Sequence, residues 1–322
     1  MCFLAQLTGL LLRQLLGSAN LTSKVRGANV GLGVRQQRFE SDQMTSAEQA
    51  RLAEFFRSKH YSPPLLLLPN AWDAMSARVF VAAGFEAIAT TSGGVAWALG
   101  YADGEHAPWA EVVAVTARIV RVAQVPVTAD IEAGYGDTPD AVMKSVAEII
   151  RAGAVGINLE DGVPHGARPV RDIADAADRI RAAREAARVA AVPLVINART
   201  DLYLRNMGDE AARFDEAVAR GKAYLAAGAD CFYPIALRDP PTIERLVKAL
   251  AAPININVRA GLPNVAELEK LGVARASTAS QISLMAMATT QQIAEALRKT
   301  GSFDMLAPAI TQGAAQRLFS AF

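Results

Sequence analysis

The chain has 322 residues, 52% hydrophobic and 20% charged, the make-up of a globular protein with a large core. A formal net charge of +1 gives no bulk field that would favour nucleic acid or an acidic membrane surface. Cys2 and Cys231 lie too far apart to suggest a disulfide framework and suit a reducing, cytoplasmic setting, while His60, His106 and His165 are too scattered for a zinc motif.

Residues 1–44 stand apart. No acid occurs from Met1 to Phe39, where Arg13, Lys24, Arg26, Arg35 and Arg38 are basic, and the apolar run Leu10–Leu16 is too short to span a bilayer. Such a leader suits an organellar transit peptide; the simpler reading, an upstream start or a disordered tail before Met44, is preferred. Residues 45–322 read as one domain, with no internal linker and no transmembrane segment.

From Thr45 onward, short apolar runs alternate with Ala-rich amphipathic stretches. Ser46-Ala47-Glu48-Gln49 reads as a capping box opening a helix to about Ser58. Strand-like runs follow at Leu65–Leu68, Ala87–Thr91, Val125–Ala129, Val155–Leu159, Leu194–Ala198, Cys231–Pro234, Ile254–Val258 and, weakly, Val273–Ser277. Between and after them, helical patterns cover Ala71–Ala83, Trp109–Ala123, Thr138–Ala152, Val170–Val189, Arg213–Ala227, Pro241–Leu250, Val265–Leu271 and Gln281–Thr300. Eight strand–helix units over roughly 240 residues predict an α/β fold, a (β/α)8 barrel. The rival, a doubly wound open sheet, is weakened because no Gly-x-Gly-x-x-Gly turn follows the first strand.

In such a barrel the site forms at the C-terminal ends of the strands. Polar residues gather there: Asn70, Thr91-Ser92-Gly93-Gly94, Asp130, Glu132, Glu160, Asp161, Asn197, Arg199, Tyr233, Asn255 and Asn257. Asp130 and Glu132, two apart at a strand end, are expected to share a face, with Glu160-Asp161 ending the next strand. Unbalanced acids on adjacent strands repel unless a cation offsets them, and an all-oxygen set suits Mg²⁺ or Mn²⁺. Arg199 could clamp a carboxylate or phosphoryl group, and Ser92-Gly93-Gly94 would let backbone N–H groups approach an oxyanion. Each has a plainer alternative, as cap, salt bridge or tight turn. Trp72, Trp97 and Trp109 read as packing residues, Tyr135 as a loop anchor, Asp137 and Asp140 as capping or salt-bridging acids, and His165 as a solvated loop residue that keeps a catalytic option.

Pro69-Asn70-Ala71-Trp72-Asp73, Ala83-Gly84-Phe85, Thr91-Ser92-Gly93, Ala129-Asp130-Ile131-Glu132-Ala133-Gly134-Tyr135-Gly136, Ile157-Asn158-Leu159-Glu160-Asp161 and Asn197-Ala198-Arg199-Thr200-Asp201 together resemble the isocitrate lyase and phosphoenolpyruvate mutase superfamily, over about Leu65 to Thr300. The resemblance implies a (β/α)8 barrel, often with its last helix swapped between subunits, in homodimers or homotetramers. It implies Mg²⁺ or Mn²⁺ and a small 2-oxo or 2-hydroxy acid, with C–C or P–C bonds cleaved or rearranged through an enolate-like intermediate. By position, Asp130 matches the metal-binding aspartate, Glu132 a second acid, Glu160 the acid on a metal water, and Asp103 a remaining outer acid. Ser92 and Gly93 match the oxyanion loop, and Arg199 the substrate-clamping arginine.

The chain also departs from that pattern. The lyases carry a catalytic cysteine in a loop after the Glu-Asp pair, whereas Gly162–Pro169 has none, nor the lysine of the P–C enzymes. Ile235 stands where the lyases have a glutamate. The expected activity is therefore a metal-dependent C–C lyase or decarboxylase, since decarboxylation asks little of the missing cysteine. A P–C enzyme, or a catalytically silent metabolite-binding barrel, are the alternatives.

Overall fold

The computed structural model describes residues 44–163, 169–307 and 310–320. The basic leader before Met44, Cys2 and His165 lie outside them. Met44–Phe322 makes one compact unit.

Helix α1 (Ser46–Ser58) opens with a capping box, but one residue earlier than its sequence suggested: Thr45 is the N-cap and Glu48 the reciprocal partner. Nine short strands follow among the described residues: β1 (Leu66–Leu68), β2 (Asn70–Ala71), β3 (Ile88–Thr90), β4 (Val127–Asp130), β5 (Gly156–Glu160), β6 (Val195–Thr200), β7 (Cys231–Pro234), β8 (Asn255–Asn257) and β9 (Arg275–Ser277). The helices between them are α2 (Ala74–Ala82), α3 (Ser92–Leu99), α4 (Trp109–Ala123), α5 (Pro139–Arg151), α6 (Ile173–Val189), α7 (Glu210–Ala226), α8 (Pro240–Leu250) and α9 (Val265–Lys270). Helices α10 (Gln281–Thr300) and α11 (Gln312–Phe319) close the chain. Short polar residues mark the helix starts: Asp73, Thr138, Asp209, Asp239 and Asn264 each accept the N–H three residues on.

All strand pairs are parallel, in the orders β2-β3-β4-β5-β6-β7 and β1-β9-β8. β1 runs on into β2 across Pro69, whose missing N–H interrupts the ladder. A parallel bridge, Phe232 to Ile254, joins β7 to the start of β8. The ring thus closes as a barrel of eight staves, the first made of β1 and β2, as the sequence pattern predicted.

The strands carry unlike faces. Ile157, Ile196, Phe232, Ile254, Ile256 and Ala276 are fully buried in one cluster with Ile149, Ala183, Ile243 and Leu246 of the surrounding helices. Each large aliphatic side chain so buried contributes about 1.5–3 kcal/mol. The other face is polar: Arg275 on β9 reaches Asn158 on β5, its Nη2 3.2 Å from Oδ1, across strands that are not neighbours. Those two side chains therefore meet inside the barrel. Helix α1 underlies the N-terminal ends of the strands. A Cβ on Gly156 would lie 2.9 Å from Phe56 Cε1, and His60 packs edge-on against the Phe56 ring at 4.9 Å. Glycine at 156 is what lets Phe56 come so close.

Helix α10 buries only Ser283 and exposes Leu284, Met285, Met287 and Leu297. Arg78 Nε donates to Leu318 O at 2.7 Å, tying α11 to α2. Among the described residues no helix is long and apolar enough to cross a membrane.

Candidate active site

β4, β5 and β6 deliver Asp130, Glu160 and Arg199 to one end of the barrel. Their register is direct: Asp130 pairs with Asn158, and Glu160 with Arg199. Arg199 Nη1 lies 2.6 Å from Glu160 Oε2, and its Nε 2.8 Å from Asp201 Oδ1, with all three side chains largely or wholly buried. Asp201, which the sequence motif carries two residues after Arg199, stands beside its guanidinium. Burial opposes the Arg199 charge, but Glu160, Asp201 and Asp130 outweigh it and hold the guanidinium firmly protonated. Burial pushes the Glu160 carboxyl well up; Arg199 opposes this, and Asp201, Asp130 and Glu132 add to it.

The sequence placed Asp130 and Glu132 on one strand face. β4 in fact ends at Asp130, and Glu132 adopts φ 52° in the left-handed region. Strand alternation stops there. Glu132 turns aside, its Oε2 accepting the Glu105 N–H at 2.8 Å and its Oε1 the Tyr135 hydroxyl at 2.9 Å. Its own N–H points back to Asp130 Oδ1 at 3.3 Å. Tyr135 is also left-handed, at φ 53°, and its N–H is held by Glu105 Oε1 at 2.7 Å. It is the loop anchor that the sequence suggested. Two such residues within four store strain, which persists because the surroundings hold the turn. Arg179 of α6 does so from beneath, its Nη2 2.6 Å from Gly136 O.

Ser92-Gly93-Gly94, expected as a strand-closing turn, is instead the first turn of α3. Ser92 N–H faces Asp130 Oδ2 at 3.4 Å, so the positive end of the helix meets the acid. Gly93 leaves room here: a Cβ would sit 3.2 Å from Asp103 Oδ2 and from Ser280 Oγ, a tight approach. Asp103 therefore stands beside the same turn. Asn70 closes the first stave, donating to Thr90 O at 2.7 Å and accepting the Ala279 N–H at 3.0 Å.

Glu160-Asp161 looked like one acidic pair, and the structure separates it. Asp161 accepts from Arg220 Nη1 at 2.9 Å, Tyr224 OH at 2.7 Å and the Asp201 N–H at 2.9 Å, an internal network away from the mouth. Trp109 packs on Tyr135 at 4.7 Å. Cys231 is buried in the lumen, its thiol pushed up to about 12 by burial.

A narrow cavity lined by Thr90, Ser92, Asp130, Glu132 and Tyr135, with apolar residues of α3 and α4, opens among these groups. Burial raises the Asp130 carboxyl, Arg199 opposes this, and Asp103 raises it further. Burial, then Asp103 and Asp130, push Glu132 up to about 7. Oxygen acids that raise one another in a buried pocket are the donor chemistry of a hard divalent ion. Among the described residues, however, no three His, Cys, Asp or Glu groups stand close enough to coordinate one together. Of the acids expected around one ion, Glu160 is turned to Arg199 and Glu132 to Tyr135 and the Glu105 N–H. Asp130 could hold such an ion directly, and Asp103, Glu132 and Glu160 could reach it through water.

A profile of the family described as phosphoenolpyruvate phosphomutase matches residues 56–298. The chain belongs to that family. An uncharacterized protein of Mycobacterium tuberculosis is 38% identical over 227 residues, 70% of this chain and 81% of that one. Oxaloacetate decarboxylase of Chromohalobacter salexigens is 32% identical over 240 residues, 71% and 79% of the two chains. The solved structure of 2,3-dimethylmalate lyase, a member of the phosphoenolpyruvate mutase/isocitrate lyase superfamily, superposes with a TM-score of 0.74 at 27% identity, covering 84% and 95%. Membership makes this chain an enzyme of a lyase and mutase superfamily built on the (β/α)8 barrel.

Proposed function

We propose that the protein is a divalent-metal-dependent lyase or decarboxylase acting on a small 2-oxo or 2-hydroxy acid. The observation that carries this reading is the opposition, at one barrel end, of the part-buried Asp130 carboxylate and the Glu160–Arg199–Asp201 ion cluster. Arg199 offers a rigid fork to a substrate carboxylate, in exchange for part of its hold on Glu160. The first turn of α3, with Ser92 and Gly93, presents N–H groups to negative charge developing on the substrate oxygen. Asp130 would hold Mg²⁺ or Mn²⁺, with Asp103, Glu132 and Glu160 orienting its water. Once bound, the ion supplies the Lewis acidity that stabilises the electron pair left by the broken bond. Decarboxylation needs no catalytic cysteine, which agrees with a loop that has none, and a decarboxylase stands among the relatives.

Turnover should appear on a panel of such acids with Mg²⁺, vanish in Asp130→Ala, and vanish in chelator. Equal rates with and without chelator would sink the reading. The family's own description favours P–C chemistry as the second reading, and phosphorus NMR on phosphonopyruvate separates the two. A silent metabolite-binding barrel would turn over neither substrate and bind no Mg²⁺ by calorimetry.

A further inference from the structure

Below the mouth the lumen holds a buried cation that no carboxylate contacts among the described residues. Arg275 is 0% exposed, and its Nη2 donates to Asn158 Oδ1 at 3.2 Å. Asn197 Nδ2 donates to the same oxygen at 2.8 Å. Among the described residues Arg275 Nε and Nη1 have no hydrogen-bond partner, nor does Asn197 Oδ1, although the guanidinium lies over the Phe56 ring at 5.9 Å. Each buried polar atom left so costs on the order of 1–3 kcal/mol, and barrel interiors are ordinarily filled by branched aliphatic side chains that avoid it.

The chemistry of the three side chains fixes their orientation. A guanidinium has only donors, so the Asn158 atom facing Arg275 is the oxygen. Asn197, meeting that oxygen, must present its nitrogen. The Asn158 nitrogen consequently faces neither neighbour. It bonds no described group, and Asn158 retains 5% exposure where Asn197 and Arg275 have none. Asn158 is also the cross-strand partner of Asp130 and lies two residues before Glu160.

We propose that Asn158 is a substrate-binding residue whose amide N–H₂ donates to an anionic oxygen of the substrate, and that Arg275 is the positioning residue that locks the amide in this orientation. The inference rests on the substrate class proposed above. Without Arg275 the Asn158–Asn197 pair could invert, presenting an oxygen to an anion. A costly, unpaired guanidinium is thereby explained as the element that denies the inverted state.

The test is a double-mutant cycle read by calorimetry, with oxalate titrated into protein holding Mg²⁺. Asn158→Leu, close in shape and without a donor, should weaken oxalate at least about tenfold, a loss of about 1.4 kcal/mol. Arg275→Met should weaken it too, yet add nothing in the Asn158→Leu background. Mg²⁺ titrated alone should bind every variant as it binds the wild type. The double variant removes the orphaned guanidinium but takes the acceptor from Asn197 Nδ2, so the melting temperature of every variant is measured beside the titration to show that each is folded. Unchanged oxalate binding in Asn158→Leu, or loss of Mg²⁺ binding itself, would overturn the donor assignment. Multiplying effects in the double variant would overturn the role of Arg275. A wild type that binds Mg²⁺ but not oxalate would instead bring down the proposed substrate class, and this inference with it.

Discussion

Glu160 and Arg199 face each other from paired positions on adjacent strands, Oε2 to Nη1 at 2.6 Å, with Asp201, just past the end of β6, closing on the same guanidinium. Such an arrangement requires a planar cation with donors in two directions. Arg199→Lys offers one point charge and should lower kcat/KM at least about a hundredfold while the protein stays folded. Arg199→Met strands two buried carboxylates and should cost about 3–5 kcal/mol in urea unfolding. Full activity in the lysine variant would show that the clamp lies elsewhere.

Glu132 makes stability depend on pH. An unfolded glutamate titrates near 4.5, while folded Glu132 is pushed up to about 7, so its favourable contribution is complete below the first value and lost as pH rises through the second. Against Glu132→Gln, the metal-free wild type should lose about 3 kcal/mol of unfolding free energy between about pH 4.5 and pH 8. Added Mg²⁺ should narrow that gap. A difference that stays flat across this range would mean the carboxyl is ionised throughout.

His60 gives an opposite pH dependence at the barrel floor. Burial, then the Arg275 charge, lower it to about 3 from an unfolded value of 6.5. The neutral ring is the folded form, with Nδ1 2.9 Å from Phe56 O. Stability from this group is complete above 6.5 and should fall by about 1.4 kcal/mol per unit as pH drops toward 3. Acid unfolding of His60→Gln, compared with wild type at matched pH, isolates the term; parallel curves would refute it.

The apolar surface of α10 predicts self-association. Met285 is 66% exposed and Met287 49%. Light scattering should give a dimer or tetramer mass, and Met285→Glu with Met287→Glu should lower it. A monomeric wild type at micromolar concentration would exclude this.

The barrel was legible because its apolar runs are short and regularly spaced: β7, α4 and α10 fall at their predicted bounds and the other strands within two residues, except β2, where Ala71 was expected to open a helix that starts at Ala74. Asp130 and Arg199 could be located because they end such runs. The direction of Glu132 could not, because a left-handed residue just past the strand reverses the alternation rule. Nor could α3, which begins on two glycines that read as a turn. Arg275 was missed for a different reason. Its run is short and weakly apolar, and nothing local says that a charge there crosses the lumen to Asn158.

Phe56 under Gly156 has a kinetic consequence. With Phe56 packed against Gly156 on the underside, a substrate cleaved at the proposed site would release its fragments through one exit, at the C-terminal strand ends. The fragment seated deeper departs second, so inhibition by the two products should be unequal in kind as well as in strength.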